Sequence, residues 1–143
     1  MAVWVSTHGS NIPDEALRAG YEADGKPLFI AKAIMEASMT PGKCGFHLDG
    51  AHIPYDSKEQ VVDHYEVLVF PFRKSGFLNW QKASNGYVPP NACKTDDGIY
   101  VGRAFHEGSL VPGKVHVDHH CAYISYGGKE FSYKDYEVLY EVK

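Results

Sequence analysis

Residues 39–44 read MTPGKC and residues 110–115 read LVPGKV. Pro-Gly-Lys thus occurs twice, each time after an apolar run. As a phosphate loop the motif is incomplete. The second copy has Gly108, four residues, then Gly113 and Lys114, but Val115 stands where a hydroxyl residue would hold magnesium. The next residues, VHVDHHCAYISY, alternate in part and read as strand, not as the helix whose N-terminus a phosphate needs. The first copy has Ala37 in place of the leading glycine. As a turn the motif is chemically sound, because proline presets φ near about −65° and glycine accepts positive φ. Chain reversals are therefore expected at Pro41-Gly42 and Pro112-Gly113. A turn does not explain why Lys43 and Lys114 both follow.

An internal repeat explains the lysines. Laid on itself at a shift of 71, the chain aligns Leu28–Leu68 with Ile99–Leu139 without a gap. Identical pairs include Ala33/Ala104, Glu36/Glu107, Ser38/Ser109, both Pro-Gly-Lys segments, Ala51/Ala122 and Tyr55/Tyr126. Lys58-Glu59 falls on Lys129-Glu130, and Tyr65-Glu66-Val67-Leu68 on Tyr136-Glu137-Val138-Leu139. Further upstream, Trp4 falls on Trp80, Pro13 on Pro89 and Ala16 on Ala92, with extra residues in the first copy around Ala19–Gly25 and at Lys26-Pro27. The chain therefore divides into two copies of one unit, 1–71 and 72–143.

Composition narrows the class. A hydrophobic content of 44% supports a packed core rather than disorder. A formal net charge of −4 without a basic patch argues against nucleic acid as a partner. No apolar run has the length of a membrane span, and the N-terminus MAVWVSTHGS lacks the features of a signal peptide. A soluble protein is expected, cytoplasmic or released without a signal peptide. Cys44, Cys93 and Cys121 have no cysteine counterparts in the other copy, so they read as small buried fillers rather than a disulfide framework.

Tyr, Phe and Val are abundant and turn signals are closely spaced, which predicts an all-β fold. Strands are expected near 2–6, 28–35, 43–47, 51–55 and 64–70, and near 77–82, 99–106, 114–118, 122–126 and 136–142. PDEALRAG (13–20) has helix-start signals, but its counterpart PPNACK does not, so a loop or one helical turn is expected. A unit of this size buries a marginal core alone. Two antiparallel β units packed with pseudo-twofold symmetry solve that problem, and the cleft between them is a natural place for a ligand.

At this point the motifs resemble a known family. GYEADGKPLFIAKA, MTPGKC, AHIPYDSKE and YEVL, and in the second half DDGIYVGRAFHEGSLVPGKV through AYISYGGKEFSYKDYEVL, are similar to the DM-nine repeat, found also in natterin-like proteins. A two-repeat chain of this size resembles the mannose-specific lectins of molluscs. That resemblance implies a homodimeric all-β lectin that binds mannose or high-mannose glycans without calcium, in innate immune recognition, with no cofactor and no catalysis. In those lectins an acid ahead of an Asp-Gly turn and the lysine of Pro-Gly-Lys contact the sugar, which places Glu22 and Lys43 in the first copy. In the second copy Lys114 matches, and Asp96 is the carboxylate nearest to the acidic position. Natterin-like toxins usually carry a long pore-forming region, which has no place in these 143 residues.

The residue types suit a sugar. A carboxylate accepts from two neighbouring hydroxyls and an ammonium donates to a third. A structural role for the lysines is also open, in which they pair with Glu66 and Glu137 of the repeated Tyr-Glu-Val-Leu strand. The rival site is HVDHH, where His116, Asp118 and His120 would share one face of a strand and could bind a metal or serve a metal-dependent hydrolase. It lacks a firm fourth ligand, so a required metal site is not expected.

Overall fold

The structure is a computed structural model and describes residues 2–71 and 76–142. Most of the expected boundary between the halves, Pro71–Gly76, lies outside the described residues. The first half contributes β1 (Val3–His8), β2 (Arg18–Tyr21), β3 (Pro27–Met35), β4 (Ser38–Cys44), β5 (Ala51–Tyr55), β6 (Lys58–Val62) and β7 (His64–Val69). The second contributes β8 (Phe77–Ser84), β9 (Lys94–Asp96), β10 (Ile99–His106), β11 (Ser109–His116), β12 (Cys121–Tyr126), β13 (Lys129–Tyr133) and β14 (Asp135–Val142). The chain is all-β; its sole helical element among the described residues is a 3-10 turn at Val117–His119. No helix among them is long and apolar enough to cross a membrane.

The strand order is β1-β7-β3-β4-β5-β6-β13-β12-β11-β10-β14-β8. Read from either end, this order is the same list of equivalent strands, so a pseudo-twofold axis runs through the central β6–β13 pair. There Lys58 faces Lys129, its own counterpart in the other copy. The sheet also closes on itself. β2 pairs with β3 and, through Tyr21 opposite Leu110, with β11. The ring β2-β3-β4-β5-β6-β13-β12-β11 is thus a small barrel to which both halves contribute. Reciprocally, β9 reaches back to the first half, where Asp96 Oδ2 accepts the Met39 N–H at 2.7 Å and Thr95 Oγ1 donates to the Met39 carbonyl at 2.9 Å.

The core has three parts. Phe29, Ala31, Ile53 and Val67 fill the first half, and Val111, Val115, Ile124 and Val138 fill the second. The third part, Ala19, Ile30, Leu68, Val101 and Leu139, is shared, and Trp4 and Trp80 pack against it. Successive residues of β3 thus feed different clusters, as the two-residue period of a strand covered on both faces requires. Lys32 lies over Trp4 and Arg103 over Trp80, with 4.2 and 4.0 Å to the ring centroids.

The Pro-Gly-Lys segments are not turns. Both lie inside strands, β4 and β11. Gly42 and Gly113 are needed for close backbone approach: a Cβ on Gly42 would stand 2.4 Å from the His52 carbonyl oxygen, and one on Gly113 would be 2.1 Å from that of Tyr123. The proline is tolerated because β5 pairs with β4 only at Lys43↔His52, and β12 with β11 only from Lys114 onward, so no ladder donor is missed beside Pro41 or Pro112. The reversals come instead at two-residue hairpins with both residues at positive φ: Glu36-Ala37, Asp56-Ser57, Glu107-Gly108 and Gly127-Gly128. No helical turn forms over residues 13–20; Ala16 bridges to Val69 and β2 begins at Arg18.

Candidate functional site

Two clefts open at the seam, one around each repeated lysine. In the first, Lys43 projects from β4 and its side chain is only 4% exposed. Its Nζ donates to the Ser125 carbonyl of the second half at 2.8 Å and lies 3.2 Å from Glu59 Oε2, with the Tyr126 ring centroid at 5.3 Å. An ammonium has three donors; one is engaged by the Ser125 carbonyl, while the Glu59 contact is an ion pair that leaves Glu59 Oε2 without a hydrogen-bond partner. Glu59 is fixed in turn by the Gly128 N–H at 3.2 Å and by His52, whose Nδ1 is 3.3 Å from Oε1. Burial alone would raise the Glu59 carboxyl, but hydrogen bonding from His52 and the charges of Lys43 and His52 prevail and hold it at about 2.

The second cleft repeats the arrangement. Lys114 Nζ is 3.4 Å from Glu130 Oε2, between the rings of Tyr55 (5.1 Å) and Tyr123 (5.2 Å). Glu130 Oε1 accepts the Ser57 N–H at 3.0 Å. Burial lowers the Lys114 ammonium below the ordinary lysine range, and Glu130 offsets part of that. Each Lys–Glu pair therefore ties one half to the hairpin turn of the other. Backbone bonds reinforce both junctions: Glu59 N–H to Gly128 O at 3.0 Å and Glu130 N–H to Ser57 O at 3.2 Å.

The lysines' partners differ from the expected Glu66 and Glu137. Glu137 is taken by Arg103 Nε at 2.7 Å, and Glu66 stands across the ladder from Lys32. The partners are Glu59 and Glu130, the acids of the repeated Lys-Glu dipeptide. Those acids and the cross-seam Tyr55 and Tyr126 were visible in the repeat as identities but carried no motif that named their role.

Glu22 and Lys43 line the same cleft, about 370 Å³ in volume, together with Asp24, Lys26, His47 and His52. Glu22 sits on the loop after β2. That loop is closed by the Glu22 N–H to Lys26 O bond at 2.8 Å and the Gly25 N–H to Glu22 O bond at 2.9 Å. Its carboxylate Oε2 lies 2.8 Å from His47 Nε2. Lys114 lines the second cleft, about 500 Å³. Asp96 lines neither. It sits on β9, where the Met39 and Asp97 N–H groups lower its carboxyl. β9 and β10 are joined by the tight Asp97-Gly98 turn, so the second half has no counterpart of the loop that carries Glu22.

The His cluster is not on a strand face. β11 ends at His116, and residues 117–119 form the 3-10 turn with His120 in the left-handed region at φ 60°. His116 instead stacks flat on His119, with ring centroids 3.7 Å apart. Among the described residues no group of three or more His, Cys, Asp or Glu is placed to hold a metal ion.

Sequence profiles for the DM9 repeat match residues 1–62, 33–97 and 94–143. The chain belongs to the DM9 repeat family. Among its relatives, natterin-1 of Thalassophryne nattereri is 32% identical over 146 residues, covering 95% of this chain and 37% of natterin-1. Natterin-3 of the same fish is 34% identical over 130 residues, covering 90% of this chain and 33% of natterin-3. This DM9 chain thus spans about a third of the length of those relatives. The crystal structure of the nematode sperm cell motility protein MFP2B superposes with a TM-score of 0.70 at 14% identity, covering 99% of this chain and 47% of that one, a likeness of fold.

Proposed function

We propose that this protein is a lectin that binds mannose or high-mannose glycans without calcium through the cleft containing Glu22 and Lys43. Membership of the DM9 family and the natterin relatives support a carbohydrate-binding or toxin-like role. The observation that favours the sugar is a buried ammonium whose one hydrogen bond is to the Ser125 carbonyl, in the same cleft as a carboxylate on a tight loop. Glu22 accepts from adjacent hydroxyls and Lys43 donates to a third oxygen. A site of paired charged groups reads hydroxyl geometry, because an epimer that misplaces one hydroxyl leaves a buried polar group unpaired. In this reading neither residue is catalytic. A homodimer, as the family resemblance implies, would add avidity on clustered glycans such as those met in innate immune recognition.

A glycan array, run with and without EDTA, tests the proposal. Binding to mannose-terminated glycans that survives EDTA is expected. Loss of all binding with EDTA refutes the calcium-free reading, and no glycan binding at all refutes the lectin.

A further inference from the structure

We propose that His106 is a proton-sensitive positioning residue: its imidazole sits behind two walls of the first cleft and weakens glycan binding there as it takes up a proton. The inference rests on the lectin reading for its ligand, but not for its mechanics. His106 ends β10 and is 5% exposed, at the place where the first half has Met35. An apolar side chain is therefore enough for the fold at this position, and a buried imidazole in the second half calls for another reason. Its neighbours differ with it: Tyr133 and Phe131 stand where the first half has Val62 and Gln60.

The ring is held on several sides. The Tyr133 hydroxyl is hydrogen-bonded to Nδ1, and the Phe131 and Tyr126 ring centroids lie 4.5 and 5.0 Å away. Nε2 is 2.8 Å from Glu107 Oε2, yet the approach is off the hydrogen-bond direction, and Nε2 is buried without a hydrogen-bond partner. A neutral ring gains little from such a contact. An imidazolium gains from it directly, because attraction between charges does not need that alignment. Tyr133 adapts to either state, since its hydroxyl both donates and accepts. Burial first, then the charge of Glu107, raise its phenol, so it stays protonated. The titratable groups that face His106 are thus Tyr133 from β13, Tyr126 from β12 and Glu107 of its own hairpin, with Lys43 of β4 against the same Tyr126 ring.

The proton acts on the cleft by two routes. Tyr126 lines it, and Lys43 Nζ lies 5.3 Å from the centroid of that ring. A cation at His106 competes with Lys43 for one ring and repels it. The hairpin Glu107-Gly108 meets the loop that carries Glu22: a Cβ on Gly108 would lie 3.8 Å from Ala23 Cβ, and Leu110 pairs with Tyr21. An imidazolium that draws Glu107 inward moves this hairpin against that loop.

Two measurements test this. In the protein without sugar, NMR follows the His106 ring and the amides of Ala23 and Tyr126 from about pH 8 to about pH 5, the interval in which imidazoles take up a proton. Both amides should shift with the same midpoint as the His106 ring, and that step should vanish in His106→Met, which carries the first half's own residue. Glu107→Gln, on an exposed hairpin residue, should move the His106 midpoint to lower pH. Amides that ignore the His106 step, or a midpoint unmoved in Glu107→Gln, would overturn the proposal with no sugar present. Calorimetry with methyl α-mannoside reads the consequence. The ratio of the affinity at about pH 7.5 to that at about pH 5.5 should be about fivefold larger in the unmodified protein than in His106→Met, the low end of coupling between two sites. His47 and His52, which line the cleft themselves, act in both proteins alike. Equal ratios would overturn the link to binding. Absence of mannoside binding at every pH would overturn the lectin reading, while the sugar-free titration still decides whether His106 moves the two walls.

Discussion

Replacing Lys43 with Met removes the ammonium but keeps an unbranched stem of similar length. The change deletes the bond to the Ser125 carbonyl and leaves Glu59, 9% exposed, without its cation. Breaking a buried ion pair from one side costs about 3–5 kcal/mol. His52 stays 3.3 Å from Glu59 and compensates in part, so about 3 kcal/mol is expected here. For a chain of this length that corresponds to a fall in Tm of about 10 °C. Glu59→Leu alone should cost a similar amount, because it leaves Lys43 buried with only a carbonyl. The double variant Lys43→Met/Glu59→Leu removes both charges together and should recover about 2 kcal/mol of the summed losses. Urea unfolding followed by circular dichroism measures each corner of the cycle. The same cycle on Arg103 and Glu137, whose side chains are 18% and 20% exposed, should give a smaller coupling of about 1 kcal/mol or less. Losses at Lys43 and Glu59 that add to within about 0.5 kcal/mol would refute the claim that the two act as one coupled buried pair.

Two further outcomes follow from the seam. Gly113→Ala places a methyl group 2.1 Å from the Tyr123 carbonyl oxygen, so the strands must part and stability should fall by more than about 3 kcal/mol. Gly127→Ala, with nothing within 4 Å of its Cβ but φ at +58°, should cost only about 1 kcal/mol, and chemical denaturation of both variants checks the contrast. The pH dependence has a definite sign. Glu59 sits at about 2 when folded, below its unfolded value near 4.3, so its contribution is complete above about pH 4.5 and is lost as pH falls through 2. The contribution is roughly 3 kcal/mol, and in Glu59→Gln the slope of stability between pH 4.5 and 2 should flatten.

The repeat made much of the fold legible. Equal spacing of Trp, Pro-Gly-Lys, Lys-Glu and Tyr-Glu-Val-Leu in two copies requires equal strand order in two halves, and the palindromic sheet follows from it. The turns were misread for a physical reason. Pro-Gly carries the strongest local turn chemistry in the chain, yet the fold uses it where backbones approach closely. Meanwhile Glu36-Ala37, with no local preference for positive φ, is driven there by the pairing of β3 with β4. HVDHH has strand-like alternation, but the chain turns into a 3-10 turn at Val117–His119, closed by His120 at positive φ, so the strand stops at His116. Lys43 and Glu22 could be named from motif and resemblance. Tyr126 opposite Lys43, and Tyr55 opposite Lys114, could not, because each comes from the other half and only the packing of the halves brings them together.

The most direct test of the account is calorimetric titration of methyl α-mannoside into the unmodified protein, Glu22→Gln and Lys43→Met, with folding of each variant verified beforehand. Loss of one charged hydrogen bond is worth roughly 1.5–3 kcal/mol, so affinity at the first cleft should fall about ten- to hundredfold in either variant. Unchanged affinity in Glu22→Gln and in folded Lys43→Met would contradict the assignment of the site, and an unmodified protein that takes up no mannoside would contradict the lectin itself.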